Sequence, residues 1–379
     1  MLFSPLSISQ SIALLKDGAT IQSENESELS RLLGPPSLLE SNDSTLARIL
    51  HSRSDNDDGS DADVQLQIAT SIWADKLKSS YIESAKSTHL AEAFPLPTSY
   101  SVVNQWVANK THGLITKVLD EAQPVDQSMV GLLVNTVYFR GMWSEKFNAK
   151  NTVDGEFFLR IPSGTASDKG NSPAKYMRAS REMEAIPQST SLGGASVLVL
   201  DYGKRVPYGP DKRIPEFSSI FILPASSDVD SMNDVISGLD SRPILDLLKE
   251  VRMMDVRLKL PRFRLNFGPS SLKPSLKSMG IKAAFNPSNP GMFRQMSDDP
   301  KVHVGDMLHG ATMEVSEEGT VAAAVTVTTM RSLSASLKPP PLELTYDRPF
   351  VVVVVHRPSG MPLFIGRVEN PELIFTSSV

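Results

Sequence analysis

Six histidines, His51, His89, His112, His303, His309 and His356, are the side chains best suited by type to proton transfer or metal binding. No two of them share one helix face at metal-ligand spacing, and the H-E-x-x-H pattern of zinc hydrolases is absent. The sequence also lacks the G-x-S-x-G turn that exposes a nucleophilic serine, the P-loop and the G-x-G-x-x-G phosphate cradle. With no cysteine, thiolate nucleophiles, disulfides and cysteine–zinc sites are all excluded. An isolated histidine such as His309 then reads as a hydrogen-bonded structural residue. The expectation is a protein without metal, cofactor or catalytic activity.

The informative chemistry is mechanical and lies in EEGTVAAAVTVTTMRSLSASLKPPP, residues 317–341. Glu317 and Glu318 are polar, and Gly319 tolerates backbone angles closed to other residues, which together suit a hinge. Beyond it, one alternate set is Thr320, Ala322, Ala324, Thr326, Thr328 and Met330, and the other is Val321, Ala323, Val325, Val327 and Thr329. Neither holds a charge or a proline before Arg331, so the segment can enter a packed sheet without a clash or a desolvated charge. It reads as a strand in one state and a loop in another. An ordinary permanent strand with a tail is the other reading of this stretch alone.

The surrounding elements give an α+β layout. SPLSISQSIALLKDGA opens a helix capped by Ser4 with Pro5 in its first turn, SENESELSRLLG is a second helix stopped at Gly34, and NDSTLARILHSR a third. SDNDDGSDAD is a solvated acidic loop, and Ser163–Pro173 and Pro207–Pro215 read as further surface loops. VQLQIATSIWAD is a strand, SVVNQWVANKTHGLI a helix, and SMVGLLVNTVYFRGMW a strand buried on both faces. More strands follow in ASVLVLDYG, SSIFILPA, DVRLKLPRFRLNF and the C-terminal run, with helices at SMNDVISGLDSRPILDLLKEV and SLKPSLKSMGI. Helices first and then many strands imply large, mostly antiparallel sheets. The net charge of -5, without a long basic stripe, argues against nucleic acid, and no apolar run is long enough to span a bilayer.

In FSPLSIS (3–9), VNTVYFRGMW (134–143), LPRFRL (260–265), LKSMGI (276–281), HGATMEVSEEGTVAAA (309–324) and DRPFVVVVVHRPSGMPLFIGRVENP (347–371), the chain resembles the serpin family over essentially its whole length. The resemblance implies one domain over 1–379, with three β-sheets, eight or nine helices and an exposed reactive-centre loop within 317–341. It implies inhibition of a serine protease as a suicide substrate: the protease forms an acyl-enzyme with the loop, which inserts into the central sheet and drags the protease along. Glu317, Glu318, Gly319 and Thr320 match the family's hinge, and Ala322, Ala323 and Ala324 its small-residue run. Ser4, Ser7, Asn135 and His309 match the polar shutter cluster beneath the opening sheet, and Trp143 the aromatic of the breach where the loop first enters.

Family spacing from Glu317 puts the reactive bond at Leu333-Ser334, which suits chymotrypsin-, subtilisin- or elastase-like proteases. A loop one residue shorter gives Ser332-Leu333, while Arg331-Ser332 would suit trypsin-like enzymes at the cost of a shorter insertable strand. A non-inhibitory binding or chaperone-like member of the fold is the other function. The family's helix ahead of FSPLSIS is not in the sequence, so either it is absent or the start lies upstream, and the compartment stays open. Sequons at Asn25, Asn42 and Asn109 lean towards secretion, although MLFSPLSISQSIALL reads as folded protein and not as a signal peptide. The expected partner is a protease held covalently by a monomer, with loop–sheet polymerisation as a hazard of an unfilled sheet opening.

Overall fold

The structure, a computed structural model, describes residues 1–34, 64–111, 113, 115–123, 125, 131–159, 170–204, 215–320 and 339–371. The chain opens with β1 (Leu2–Phe3), α1 (Pro5–Gly18) and α2 (Glu24–Leu33), followed by β2 (Val64–Trp73), α3 (Ser79–Ser87), β3 (Ala91–Phe94), α4 (Tyr100–Lys110) and β4 (Leu132–Met142). Next come β5 (Val153–Phe158), β6 (Asn171–Ser189), β7 (Ala195–Tyr202), β8 (Phe217–Leu223), α5 (Val229–Ser241) and α6 (Ile244–Glu250). β9 (Arg252–Pro261), β10 (Phe263–Ser271), α7 (Lys273–Ser278), β11 (Asp306–Val315), β12 (Gly319–Thr320), β13 (Leu342–Thr345), β14 (Phe350–His356) and β15 (Met361–Val368) complete it. Seven α-helices lie among the described residues. The third helix expected at 42–53 and the acidic loop after it lie outside them.

A six-stranded sheet runs β10-β11-β4-β2-β3, with β12 also hydrogen-bonded to β4. A nine-stranded network runs β1-β15-β14-β8-β7-β6-β9-β13, with β5 on β6. Its 19-residue strand β6 pairs with β5 and β9 along its first part and with β7 at its end. The three sheets implied by the resemblance thus occur as two hydrogen-bonded networks, because one strand serves two of them. Residues 171–173, read from sequence as loop, begin β6, where Pro173 pairs with Glu156 of β5. The β9 pairing starts only at Tyr176, so the missing proline N–H breaks no bond on that side.

The main core fills the space between the two networks. Phe139 of β4 and Phe263 of β10 meet Phe221, Phe350 and Phe364 from the nine-stranded side. The five valines at 351–355 are continuous because β14 is covered on both faces: Val352 and Val354 join this core, while Val351, Val353 and Val355 pack with Val235 of α5 and Leu247 of α6. Ser4 caps α1 and Pro5 sits in its first turn, as the sequence implies; Gly34 ends α2 at φ 81°. Asn25 is fully buried with its amide on the Met292 carbonyl, so that sequon offers no accessible acceptor in the folded chain. Asn109 is exposed, and Asn42 lies outside the described residues. No described helix is long and apolar enough to cross a membrane.

Gly238 in α5 faces the Ser191 carbonyl so closely that an added Cβ would fall on the oxygen. Gly→Ala inside a helix ordinarily stabilises by up to about 1 kcal/mol. Here Gly238→Ala is expected to destabilise by about 1–3 kcal/mol in urea unfolding, and a gain in stability would show that α5 does not make this approach.

Candidate functional site

β4 and β11 lie side by side in parallel, from Asp306 opposite Leu132 to Thr312 opposite Tyr138. Beyond Tyr138 the seam between them is no longer closed by direct pairing. There the chain leaves β11 and turns back on itself. Ser316 and Gly319 exchange backbone bonds of 2.9 and 3.2 Å, and Gly319 and Thr320 pair antiparallel with Met142 and Gly141 of β4. Gly319 sits at φ 129°, and an added Cβ would overlap the Gly141 carbonyl. Only glycine can make this turn so close to β4.

The turn is tied down residue by residue. Trp143 donates its indole N–H to the Ser316 carbonyl and its backbone N–H to the Glu318 carbonyl, both at 2.9 Å. Its ring stacks on Tyr202 at 4.4 Å. The Phe147 N–H reaches the Glu317 carbonyl at 2.8 Å. The largely buried Glu317 carboxylate accepts from Thr152 Oγ1 at 2.7 Å and lies 3.5 Å from Arg262 Nε. Lys146 stands 4.0 Å from Glu318. Sequence reasoning finds the hinge by its polarity and its glycine. The structure adds the anchors Thr152, Arg262 and Tyr202, which are distant in sequence and carry no local signal.

Halfway down the seam, Ser4, Ser7, Asn135 and His309 come together. Asn135 lies opposite His309 on one side and Thr70 of β2 on the other. Its Oδ1 accepts from Ser7 Oγ at 2.7 Å and from His309 Nδ1 at 2.9 Å, while its Nδ2 donates to Thr70 Oγ1 at 3.0 Å and the Ser7 carbonyl at 3.3 Å. The Ser4 N–H donates to His309 Nε2 at 3.2 Å, so the ring is neutral with its proton on Nδ1. Burial pulls His309 down to about 4. Thr70 is a member that the sequence reading did not name. Among the described residues, no cluster of histidine and carboxylates is arranged to hold a metal ion.

Leu333, Ser334, Arg331, Ser332, Ala322, Ala323 and Ala324 lie outside the described residues. The structure therefore brings together Glu317, Glu318 and Gly319, Trp143, and the polar cluster of Ser4, Ser7, Asn135 and His309, all along one seam.

The family model for serpins, serine protease inhibitors, matches residues 1–371. The chain belongs to the serpin family. Serpin-ZXA of Oryza sativa subsp. japonica is 33% identical over 72% of this chain and 64% of its own length. Serpin-Z10 of Arabidopsis thaliana is 30% identical over 98% of this chain and 91% of its own. Human antithrombin-III is 32% identical over 72% of this chain and 53% of its own. Among solved structures, human thyroxine-binding globulin complexed with thyroxine superposes with a TM-score of 0.77 at 21% identity, covering 98% of this chain and 92% of that one. The thermophilic serpin tengpin in its native state gives 0.76 at 23%, covering 98% and 88%. The serpin fold is thus present, and family membership carries protease inhibition as the general activity.

Because His309 binds its proton more weakly folded than unfolded, the unfolded state holds more protons between about pH 6.5 and pH 4. Stability is therefore full above pH 6.5 and falls as pH drops towards 4, by on the order of 3 kcal/mol from this group. His309→Gln should remove that part of the slope in urea unfolding across pH 4–7, and an unchanged slope would contradict it.

Proposed function

We propose that this serpin inhibits a chymotrypsin-, subtilisin- or elastase-like serine protease as a suicide substrate, with residues 317–341 as the reactive-centre loop of a single domain. The protease serine attacks the Leu333 carbonyl, the bond to Ser334 breaks and its amine leaves, and the acyl-enzyme stays on Leu333. The loop then enters the seam before water can release it. The observation that carries this reading is the antiparallel pairing of Gly319 and Thr320 with β4 at the mouth of the seam.

Continuing that register sets Ala322 opposite Phe139, Ala324 opposite Val137, Thr326 opposite Asn135 and Thr328 opposite Leu133, small residues against large buried ones. Val325 and Val327 fall opposite Thr136 and Val134 on the other face. About 14 residues at ~3.3 Å each span about 45 Å, enough to carry a bound enzyme along the sheet. About a dozen new ladder bonds at ~0.5–1.5 kcal/mol each contribute on the order of 10 kcal/mol. Glu317, Glu318 and Gly319 act as the hinge, Trp143 holds the mouth, and Ser4, Ser7, Asn135 and His309 latch the middle.

Mixing the protein with chymotrypsin, and separately with trypsin, should give an SDS-resistant complex with chymotrypsin and a released fragment beginning at Ser334. A fragment beginning at Ser332 moves the bond to Arg331. Cleavage with no complex by either enzyme leaves the fold and points to a non-inhibitory binding role. Thr320→Arg places a charge opposite Gly141 of β4, on the stretch of loop that enters the sheet first. Complex formation should be lost while cleavage continues at the wild-type rate, and normal inhibition by this variant would rule out insertion.

A further inference from the structure

β6, β9 and β13 lie side by side, and their inner face carries Met177, Met183, Val256 and Leu258 into the main core. Their outer face is open. Arg178, Ser180 and Glu182 of β6 and Met253 and Arg257 of β9 are exposed, while Asp255 and Lys259 are half-buried. Alternation along each strand puts these residues on one side of the sheet, and the register sets them directly across from one another. Arg178 stands opposite Lys259, Ser180 opposite Arg257, and Glu182 opposite Asp255.

Two of these three pairs join like charges, which repel when directly opposite in a sheet. Arg178 and Lys259 have no carboxylate within ion-pair distance among the described residues; the Lys259 ammonium lies 4.3 Å from the centre of the Tyr176 ring instead. Between the two like-charged pairs, Arg257 is neutralised by Glu343 of β13 at 2.9 Å. The face thus has a positive end and a negative end, four residues of strand apart, or about 13 Å at ~3.3 Å each. At the negative end, Glu145, Glu182 and Glu184 line a cleft of about 50 Å³ whose cation, Arg181, is already engaged by Glu145 at 3.2 Å.

We propose that this face binds a second copy of the chain about a two-fold axis running along the Ser180–Arg257 row. Half a turn about that axis sets Arg178 against the partner's Glu182 and Lys259 against the partner's Asp255, and the reverse. Repulsive pairs within one chain become attractive pairs between two. The spacing matches because both copies present the same patch and the axis lies midway between its ends. On the axis, Ser180 is small enough for the faces to approach, and each Arg257 keeps Glu343 beside it. A partner of uniform charge would be repelled at one end of the face, whereas the chain supplies its own complement. Three short strands offer less than the ~800 Å² per partner of a stable complex, so the dimer exchanges readily with monomer and is sensitive to salt.

The test is sedimentation velocity on the full chain from about 10 µM to about 500 µM, in about 0.05 M and about 1 M salt. At low salt the average mass should climb with concentration towards twice that of one chain, and at high salt it should return to that of one chain. Arg178→Glu with Lys259→Glu makes both ends negative, and Glu182→Lys with Asp255→Lys makes both positive. Each double variant alone should stay monomeric at low salt, and an equimolar mixture of the two should associate as the wild type does. Each exchange alters the net charge of -5 by four, so both variants remain negative and any attraction between them is local to the face. If one double variant does not fold, the other and the salt dependence of the wild type carry the test. A wild type that stays monomeric at the highest concentration in low salt would overturn the proposal. So would association that persists in either double variant alone or at high salt, which would mark a different contact such as loop–sheet linkage. A mixture that fails to associate would refute the two-fold arrangement.

Discussion

The parallel contact between β4 and β11 is the constraint on which the rest of the structure depends. Among the described residues, the other neighbours of β4 in the sheet, β2 and the short β12, run antiparallel to it. Parallel pairing is slightly weaker per residue, and here it joins strands more than 160 residues apart in the chain, so no tight turn reinforces it. A strand running antiparallel to both would replace one ladder with two. The turn at Ser316–Gly319 already presents such a strand, two residues long, at the place where direct pairing ends.

The side chains along the seam follow from that constraint. Had it been closed by apolar side chains alone, separating the strands would expose only hydrocarbon. Instead its middle is a saturated polar cluster in which Asn135 meets His309, Ser7 and Thr70. Each of these groups loses a partner if the strands move apart and nothing takes their place, a cost of about 1–3 kcal/mol per orphaned group. If the loop inserts as proposed, Thr326 would come opposite Asn135 with a hydroxyl that can make good such a loss. On the proposed insertion mechanism, such a cluster would resist opening of the seam until a strand fills it. At the mouth, Trp143 stacked on Tyr202 and the Glu317–Arg262 approach hold the turn in place.

Much of this was legible in the sequence because the residues concerned break a local rule. Gly319 behind two glutamates suits a hinge on local grounds and an isolated His309 suits a hydrogen-bonded structural residue, whereas Asn135 is picked out only by the family resemblance. The valine run at 351–355 announces a strand enclosed on both faces. What stayed hidden has physical reasons. β6 reads poorly because Lys175, Arg178, Ser180 and Glu182 face outward and prolines stand at 173 and 187, so its apolar alternation is diluted. α3 is short, with only Tyr81 and Ala85 buried. The anchors Thr152 and Arg262 are contacts between segments.

The most direct test of a sheet held one strand short is thermal unfolding before and after the loop is nicked within 321–338 by a protease that is not itself trapped. If the cleaved loop enters the seam, the transition should rise by on the order of 10 °C, from about 10 kcal/mol of added ladder bonding spread over a chain of this size. A transition that stays in place or falls after a confirmed nick would show that β4 and β11 accept no strand between them.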